Sequence, residues 1–164
     1  MFRLLLASDV LKERIDVHKS DTGMGKPMKD RAILDGIRVL VVEDDQDTRD
    51  LLQFLLQSHG ATTIPADNVM EALEMLRTDR PDLVLTDIGM PDYNGYAFIA
   101  AIRKQQSPFQ KIPVIALTAY STPADRDTAL ISGFDEYLAK PFEPEELLST
   151  IKRLYDEHRI DTAA

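Results

Sequence analysis

Short apolar runs and amphipathic helical patterns alternate five times between residues 37 and 155, and this alternation limits the folds that the chain can adopt. The apolar runs have the length of strands, while the segments between them carry apolar residues at helical spacing. Strands that alternate with helices over short connections form a parallel sheet with right-handed crossovers and helices on both faces. The sequence therefore predicts an α/β fold, a doubly wound five-stranded parallel sheet with five helices. The predicted strands cover residues 37–42, 62–64, 83–86, 112–117 and 134–139.

Polar residues mark where the predicted helices begin, because a short polar side chain can accept a hydrogen bond from a free N–H group of the first turn. Asp47 is the predicted cap of the first helix, and Asp67 or Asn68 caps the second. The Thr122-Pro123 pair predicts the start of the fourth, since proline is favoured at the first helical position. The third helix is predicted over 95–105, and the fifth from Glu143 to about Tyr155.

The periodic region is predicted to form one domain with an extension at each end. Residues 1–36 are turn-rich in their second half and lack sustained periodicity, so we expect an N-terminal extension that is partly ordered or holds one short helix. Residues 37–156 form the predicted domain, and residues 157–164 a polar C-terminal tail. No glycine-rich turn follows the first strand, which argues against a nucleotide-binding domain.

Charge and composition exclude several classes of function. The chain has 19 basic and 28 acidic residues and a net charge of −9, whereas a nucleic-acid surface needs clustered Lys and Arg. It has no cysteine, which excludes disulfides, thiolate metal sites and cysteine nucleophiles. The apolar run near the N-terminus is too short for a signal peptide or a membrane span. These features predict a cytoplasmic protein that binds neither nucleic acid nor membrane.

Polar residues follow four of the five predicted strands. Ligands of open α/β sheets bind at the carboxyl ends of the strands, so these residues are expected to meet at one edge. Crowded carboxylates repel one another unless a positive charge compensates. Oxygen ligands favour a hard divalent cation, and the sequence therefore predicts a site for Mg²⁺ or Mn²⁺. The residues at the strand ends are Glu43, Asp44, Asp45, Asp87, Thr118 and Lys140.

Four motifs in this region resemble those of response-regulator receiver domains. They are VLVVEDD at 39–45, LVLTDIGMPDYNG at 83–95, ALTAY at 116–120 and GFDEYLAKPF at 133–142. The resemblance covers about three quarters of the chain, from residue 37 to about residue 155. It implies the flavodoxin-like receiver fold with strand order 2-1-3-4-5.

The resemblance also implies roles for the acidic residues. Asp87 matches the phosphoacceptor, whose carboxylate attacks the phosphoryl group of a phosphohistidine on a partner protein. Asp44 matches the principal metal-binding carboxylate, with Glu43 its acidic neighbour in place of the commoner Asp. The backbone carbonyl of Gly89 matches the third protein ligand of the magnesium ion.

The remaining matched residues imply a charge partner and a conformational switch. Lys140 and Thr118 match the groups that neutralise the phosphoryl oxygens and donate hydrogen bonds to them. The Lys140-Pro141 peptide bond is expected to be cis, which is inexpensive before proline. After phosphorylation, Thr118 would move inward and Tyr137 would take a buried rotamer, reshaping the face formed by the fourth helix, fifth strand and fifth helix.

The family resemblance implies a phosphoacceptor receiver domain of a two-component or phosphorelay system that catalyses only its own phosphorylation and dephosphorylation. Its expected partners are a histidine kinase or histidine phosphotransfer protein and a downstream protein, with the chain a monomer or weak homodimer. Gly89 and Tyr120 stand where other members carry acids or amides, so we expect slow hydrolysis of the acyl phosphate.

Two alternatives stay open. The chain could be the receiver module of a hybrid histidine kinase, passing phosphate to a phosphotransfer protein. A Mg²⁺-dependent phosphohydrolase with an aspartyl-phosphate intermediate is disfavoured, because such enzymes place a second Asp where this chain has Gly89, and the short connections leave no room for a cap insertion.

Overall fold

The computed structural model describes residues 32–89, 94–104, 106–119 and 122–163. Five strands and five helices alternate along these segments. The strands form one parallel sheet in the order β2-β1-β3-β4-β5, which confirms the predicted fold and strand order. The strands are β1 (Arg38–Val42), β2 (Thr62–Ala66), β3 (Leu83–Asp87), β4 (Val114–Thr118) and β5 (Glu136–Ala139). The helices are α1 (Gln46–Ser58), α2 (Val69–Thr78), α3 (Gly95–Arg103), α4 (Pro123–Ser132) and α5 (Pro144–Ala163).

The sheet lies between two apolar layers, because successive side chains of a strand point to opposite faces. Val39 and Val41 of β1 pack in one layer with residues of α1 and α5. Leu40 and Val42 pack in the other layer with residues of α2, α3 and α4. The central strands β3 and β4 are buried along their whole length. Helices therefore cover both faces and leave the two ends of the sheet for polar residues.

The edge strand β2 contains Pro65, which has no N–H group to donate. Pro65 lies opposite Val41 in the register of β1 and β2, and β2 is the first strand of the sheet. Proline inside a sheet is confined to edges, to strand starts and to bulges. The predicted edge position is therefore confirmed, although the strand runs two residues further than predicted, to Ala66.

The first helix is capped by Asp45, so the prediction of Asp47 as its cap is wrong. The Asp45 carboxylate accepts hydrogen bonds from the Thr48 N–H at 2.8 Å and from the Thr48 hydroxyl. Asp47 lies inside the first turn, where a negative charge favours the helix through its dipole. The other predicted caps are confirmed: the Asn68 side chain caps α2, and Thr122 forms a capping box with Asp125 in α4.

The last helix continues to Ala163, well beyond its predicted end near Tyr155 and through most of the segment predicted as a polar tail. Its predicted buried stripe ends at Leu154. Ion pairs between side chains one turn apart extend past that residue: Lys152 pairs with Asp156 at 2.7 Å, and Arg153 pairs with Glu157 at 3.4 Å. Such pairs stabilise exposed helices without burial, which a search for an apolar stripe does not detect.

Most of the predicted N-terminal extension lies outside the described residues. Within the part that is described, Leu34 is fully buried in the layer with α1 and α5. Its N–H donates to the His59 carbonyl at 3.0 Å. The packed part of the chain therefore begins before residue 37. Within the described segments, no helix combines the length and the apolar composition needed to cross a membrane.

At the amino ends of β4 and β5, one arginine joins three segments. The Arg103 guanidinium, at the end of α3, donates to the carbonyls of Gly133, Gln110 and Ile112 at 3.0, 2.8 and 2.8 Å. It also pairs at 2.7 Å with Asp135, whose carboxylate accepts from the Val114 N–H. Arg103 therefore links α3 to the loops that precede both strands.

Candidate functional site

The carboxyl ends of β1 and β3 place two acidic residues side by side. Val42 and Thr86 are partners in the register of these strands, so the residues that follow them, Glu43 and Asp87, end neighbouring strands. Both are buried, with 1% and 8% of their surface exposed. Carboxylates are seldom buried unless they are paired, so this edge of the sheet is a candidate functional site.

Asp44 completes a cluster of three carboxylates. One oxygen each from Glu43, Asp44 and Asp87 can be chosen so that all three lie within 4.8 Å of one another. Asp44 itself is exposed, so the cluster is open on that side. Three oxygen donors, one of them open to solvent, fit a hard divalent cation that keeps several waters. Three of the acidic residues predicted at the strand ends therefore lie together, and their oxygen atoms are ligands of the kind that Mg²⁺ and Mn²⁺ prefer.

Lys140, just after β5, supplies a positive charge next to two of these acids. Its Nζ atom lies 2.9 Å from the Glu43 carboxylate and 3.5 Å from the Asp87 carboxylate. Burial disfavours its ammonium, but the charges of Glu43 and Asp87 outweigh burial and raise the pKa of Lys140 above its ordinary value. Lys140 therefore stays cationic beside Asp87 at neutral pH.

The Glu43 carboxylate is held from two sides, by Lys140 and by the Asp45 N–H at 3.3 Å. Burial raises the pKa of Glu43 to about 7; Lys140 opposes this rise and the Asp87 carboxylate adds to it. The Arg49 guanidinium fixes the main chain at the same point, donating to the Glu43 carbonyl at 2.8 Å. Arg49 was not predicted from the sequence, because its position in the first turns of the helix after Glu43 is the only feature that points to this contact.

The loop after β3 holds Asp87 in place. The Gly89 N–H donates to the Oδ1 atom of Asp87 at 2.9 Å. Gly95, the first residue of α3, donates its N–H to the Ile88 carbonyl. A Cβ atom at Gly95 would stand 2.9 Å from the Ile88 Cα and 3.1 Å from the Asp87 carbonyl oxygen. The close approach of α3 to Asp87 therefore depends on the absence of a side chain at residue 95. The proposed metal ligation by the Gly89 carbonyl stays a prediction.

Thr118 and Tyr137 lie on the two strands beyond Asp87. Asp87 is the register partner of Leu117, which places Thr118 next along β4, fully buried. Its carbonyl accepts from the Lys140 N–H at 2.7 Å. Tyr137 is 7% exposed, and burial and the nearby Asp125 charge raise its pKa. Its side chain is thus already buried in this structure, and a role in switching stays a prediction.

The Lys140-Pro141 peptide bond is cis, as the sequence motif predicted. The described residues of the site are thus those expected from the strand ends: Glu43, Asp44, Asp87 and Lys140 share one edge, with Thr118 adjacent in the sheet. Asp45 belongs to the helix cap. Tyr120 lies outside the described residues.

Comparison with known proteins gives one family. The family model "Response regulator receiver domain" matches residues 39–152. An uncharacterized 14.6 kDa protein of Leptolyngbya boryana is 44% identical over 70% of this chain and 87% of its own length. The response regulator MprA of Mycobacterium ulcerans is 36% identical over 76% of this chain and 53% of that protein. The chain therefore spans about half the length of that relative.

A solved structure shows the same fold. The receiver domain of sensor histidine kinase PA1611 from Pseudomonas aeruginosa, with a magnesium ion coordinated in its active site cleft, superposes with a TM-score of 0.67. It is 31% identical, and the match covers 74% of this chain and 98% of that one.

Proposed function

Since the chain belongs to the response regulator receiver domain family, we propose that Asp87 is the residue that accepts a phosphoryl group from a phosphohistidine. The observation that carries this proposal is the buried Asp87 carboxylate beside the Lys140 ammonium and two further acids. Receiver domains are modules of two-component signalling. In this family the chemistry is confined to the domain's own phosphorylation and dephosphorylation, and we propose the same here.

The proposed transfer forms a bond between an Asp87 carboxylate oxygen and phosphorus while the bond between phosphorus and the donor imidazole nitrogen breaks. The donor histidine leaves as neutral imidazole after taking up a proton. Phosphoryl transfer depends mainly on alignment and on neutralisation of the equatorial oxygens. Lys140 provides a cation within 3.5 Å of Asp87, and we assign Thr118 the role of hydroxyl donor.

A divalent cation fits the acidic edge of the site. We propose that Asp44, Glu43, Asp87 and the Gly89 carbonyl hold Mg²⁺, or Mn²⁺, with Glu43 acting through a bound water. When present, the ion supplies the second positive charge that the transferred group requires. The donor set supports this assignment, since it consists of oxygen atoms and includes one exposed carboxylate.

We propose a histidine kinase or a histidine phosphotransfer protein as the phosphoryl donor. The proposed output is a change in the face formed by α4, β5 and α5, coupled to Asp87 through Thr118 and Tyr137 and read by a downstream protein. The similar PA1611 domain is part of a sensor histidine kinase. Membership of a hybrid kinase is therefore the second candidate for this receiver. We propose that the receiver unit contains residues 37–156 together with the buried Leu34 before them and the rest of α5 after them.

Intact mass after incubation with acetyl phosphate and Mg²⁺ tests the phosphoacceptor assignment. Wild type should gain one phosphoryl group, and Asp87→Asn should gain none. Asp127→Asn is the matched control, because Asp127 is an exposed residue of α4, and it should be phosphorylated like wild type. No adduct on wild type, or an equal adduct on Asp87→Asn, would overturn the proposal.

A further inference from the structure

A groove lies at the end of the sheet opposite Asp87, between α2 and α3. Its volume is about 810 Å³. Arg80 and Pro81, which precede β3, form one side, and Ser107 to Phe109, which precede β4, form the other. These residues lie at the amino ends of strands whose carboxyl ends carry the candidate phosphorylation site. The groove is therefore separate from that site.

The groove combines an apolar floor with a cationic rim. The half-buried Leu73 and Phe109 contribute apolar surface, and the rim carries three cations. Of these, Arg80 and Lys104 form no ion pair with any described residue. Arg77 pairs with Glu74 at 3.7 Å, but both side chains are more than 60% exposed, and such a surface pair contributes little. The rim cations are Arg77, Arg80 and Lys104.

Two residues of the groove have a left-handed backbone. Arg80 has φ of +47° and Gln106 has φ of +65°, and among the described residues these are the two non-glycine residues with positive φ. Both line the groove. Glycine adopts this region without steric cost, whereas a long side chain costs about 1 to 2 kcal/mol. Arg80 directly follows the C-cap of α2, and Gln106 lies in the turn after α3. A left-handed residue is a common way to end a helix, so this conformation has a local cause and the case for the groove rests on its exposed cations.

We propose that this groove docks an acidic peptide segment of a partner protein, with an apolar side chain of that segment seated on the floor between α2 and α3. The exposed cations of the rim complement carboxylates of the partner segment. Residues 1–31, the obvious intramolecular occupant, contain seven basic and five acidic residues and so do not match the rim.

The exposure of the polar side chains around the groove favours a peptide over a small molecule. Small-molecule sites use a few fixed polar groups to orient the ligand. Here the charged and amide side chains, Arg77, Arg80, Lys104 and Gln106, are all exposed, and Ser107 is half-buried. Long exposed cations can adjust to carboxylates at several spacings, as recognition of an acidic segment requires.

Displayed peptide pools test the chemistry of the occupant with the full chain as bait. One pool mixes acidic and apolar residues, a second replaces the acids by lysine, and a third replaces the apolar residues by serine. The proposal expects enrichment from the first pool alone, and loss of that enrichment when the bait carries Arg77→Glu and Arg80→Glu. Absence of enrichment from the first pool, or equal enrichment from the second or third, would contradict it.

The affinity of an enriched peptide, measured by fluorescence anisotropy, separates binding from folding. Arg80→Gly removes one rim cation at a position where φ favours glycine, so it should weaken binding at least threefold while the melting temperature stays equal or rises. The double glutamate variant should weaken binding at least tenfold. Arg159→Glu, an exposed charge reversal on α5, should bind as wild type does. Equal affinity of all four proteins would overturn the proposal.

Two further outcomes would assign the groove to another occupant. Displacement of the peptide by an equal concentration of octanoate would identify a site for a small amphipathic anion. Sedimentation of wild type as a dimer and of the double variant as a monomer would identify a second copy of this chain. Either result would contradict docking of an acidic partner segment.

Discussion

The Lys140 ammonium lies 2.9 Å from the Glu43 carboxylate although 97 residues separate them in the chain. Glu43 follows β1 and Lys140 follows β5, so this pair spans the carboxyl edge of the sheet across the ends of β3 and β4. Removal of one partner of a buried pair leaves the other charge without compensation. The pair therefore links the stability of the fold to the electrostatics of the candidate site.

Replacement of Lys140 by methionine should destabilise the protein at neutral pH. Methionine keeps the apolar length of the side chain but leaves Asp87, and Glu43 where it is ionised, without their cation, at a cost of up to about 3 kcal/mol. Urea unfolding measures the effect. Lys152→Met is the matched control, because the exposed pair of Lys152 with Asp156 should contribute less than about 1 kcal/mol. An equal loss of unfolding free energy in the two variants would contradict the expectation that the buried pair contributes more than the exposed one.

Glu43 should make the stability of the metal-free protein depend on pH. Its folded pKa of about 7 exceeds the ordinary value of 4.5, so the folded state binds more protons than the unfolded state between these values. The contribution of Glu43 to the free energy of unfolding is therefore fully present below about pH 4.5, and it is lost as pH rises to about 7. At about 1.4 kcal/mol per pKa unit, the change has an upper limit of about 3 kcal/mol.

Urea titrations in EDTA from pH 4 to pH 8, on wild type and Glu43→Gln, measure this contribution. The stability difference between the two proteins should shift in favour of the variant as pH rises, because glutamine carries no buried charge. Parallel profiles across the interval would show that Glu43 keeps an ordinary pKa in the folded protein.

Gly89→Asn should shorten the lifetime of a phosphoryl group on Asp87. A Cβ atom at residue 89 would lie 3.6 Å from the Asp87 Oδ1 atom, an ordinary contact from which an amide can orient an attacking water. We expect hydrolysis several times faster than in wild type, followed by intact mass after acetyl phosphate is removed. Gly89→Ala occupies the same position without an amide and should leave the lifetime unchanged. An unaltered lifetime in Gly89→Asn would refute the assigned effect.

Gly95→Ala should destabilise the protein and reduce phosphorylation. The added Cβ would meet backbone atoms of Ile88 and Asp87 at 2.9 and 3.1 Å, so α3 or the end of β3 must move, at a cost of about 1 to 3 kcal/mol. Higher helix propensity of alanine opposes this loss by up to about 1 kcal/mol. Thermal unfolding and the rate of phosphorylation by acetyl phosphate measure both effects. Gly89→Ala, with ordinary contacts, is the stability control; a Gly95→Ala protein as stable as wild type would contradict the expected clash.

The spacing of apolar residues and the residue types were sufficient to predict the sheet, its alternation with helices and the edge where the polar residues meet. Each strand ends within about two residues of its prediction because apolar runs stop where burial stops. The positions of Glu43, Asp44 and Asp87 followed from the rule that parallel strands share a carboxyl edge. The strand order and the cis bond before Pro141 came from the motifs, since local pattern contains neither.

Other features depended on contacts that sequence spacing does not reveal. Asp45 and Asp47 are both suitable caps, and the choice depends on where the main chain leaves β1. The continuation of α5 depends on pairs between exposed charges rather than on an apolar stripe. Arg49 and Arg103 bind backbone carbonyls, which every residue has, so no pattern of side chains identifies their partners.

The four contacts of Arg103 have a consequence for how the two ends of the sheet respond to signals. They bind main-chain groups and Asp135 at the amino ends of β4 and β5, beside the groove between α2 and α3, whereas the opposite end depends on charges that a phosphoryl group would rearrange. A ligand with equal affinity for two states does not shift their populations. We therefore expect a segment docked in that groove, which touches none of those charges, to bind equally before and after modification of Asp87 and so to leave the switch unbiased.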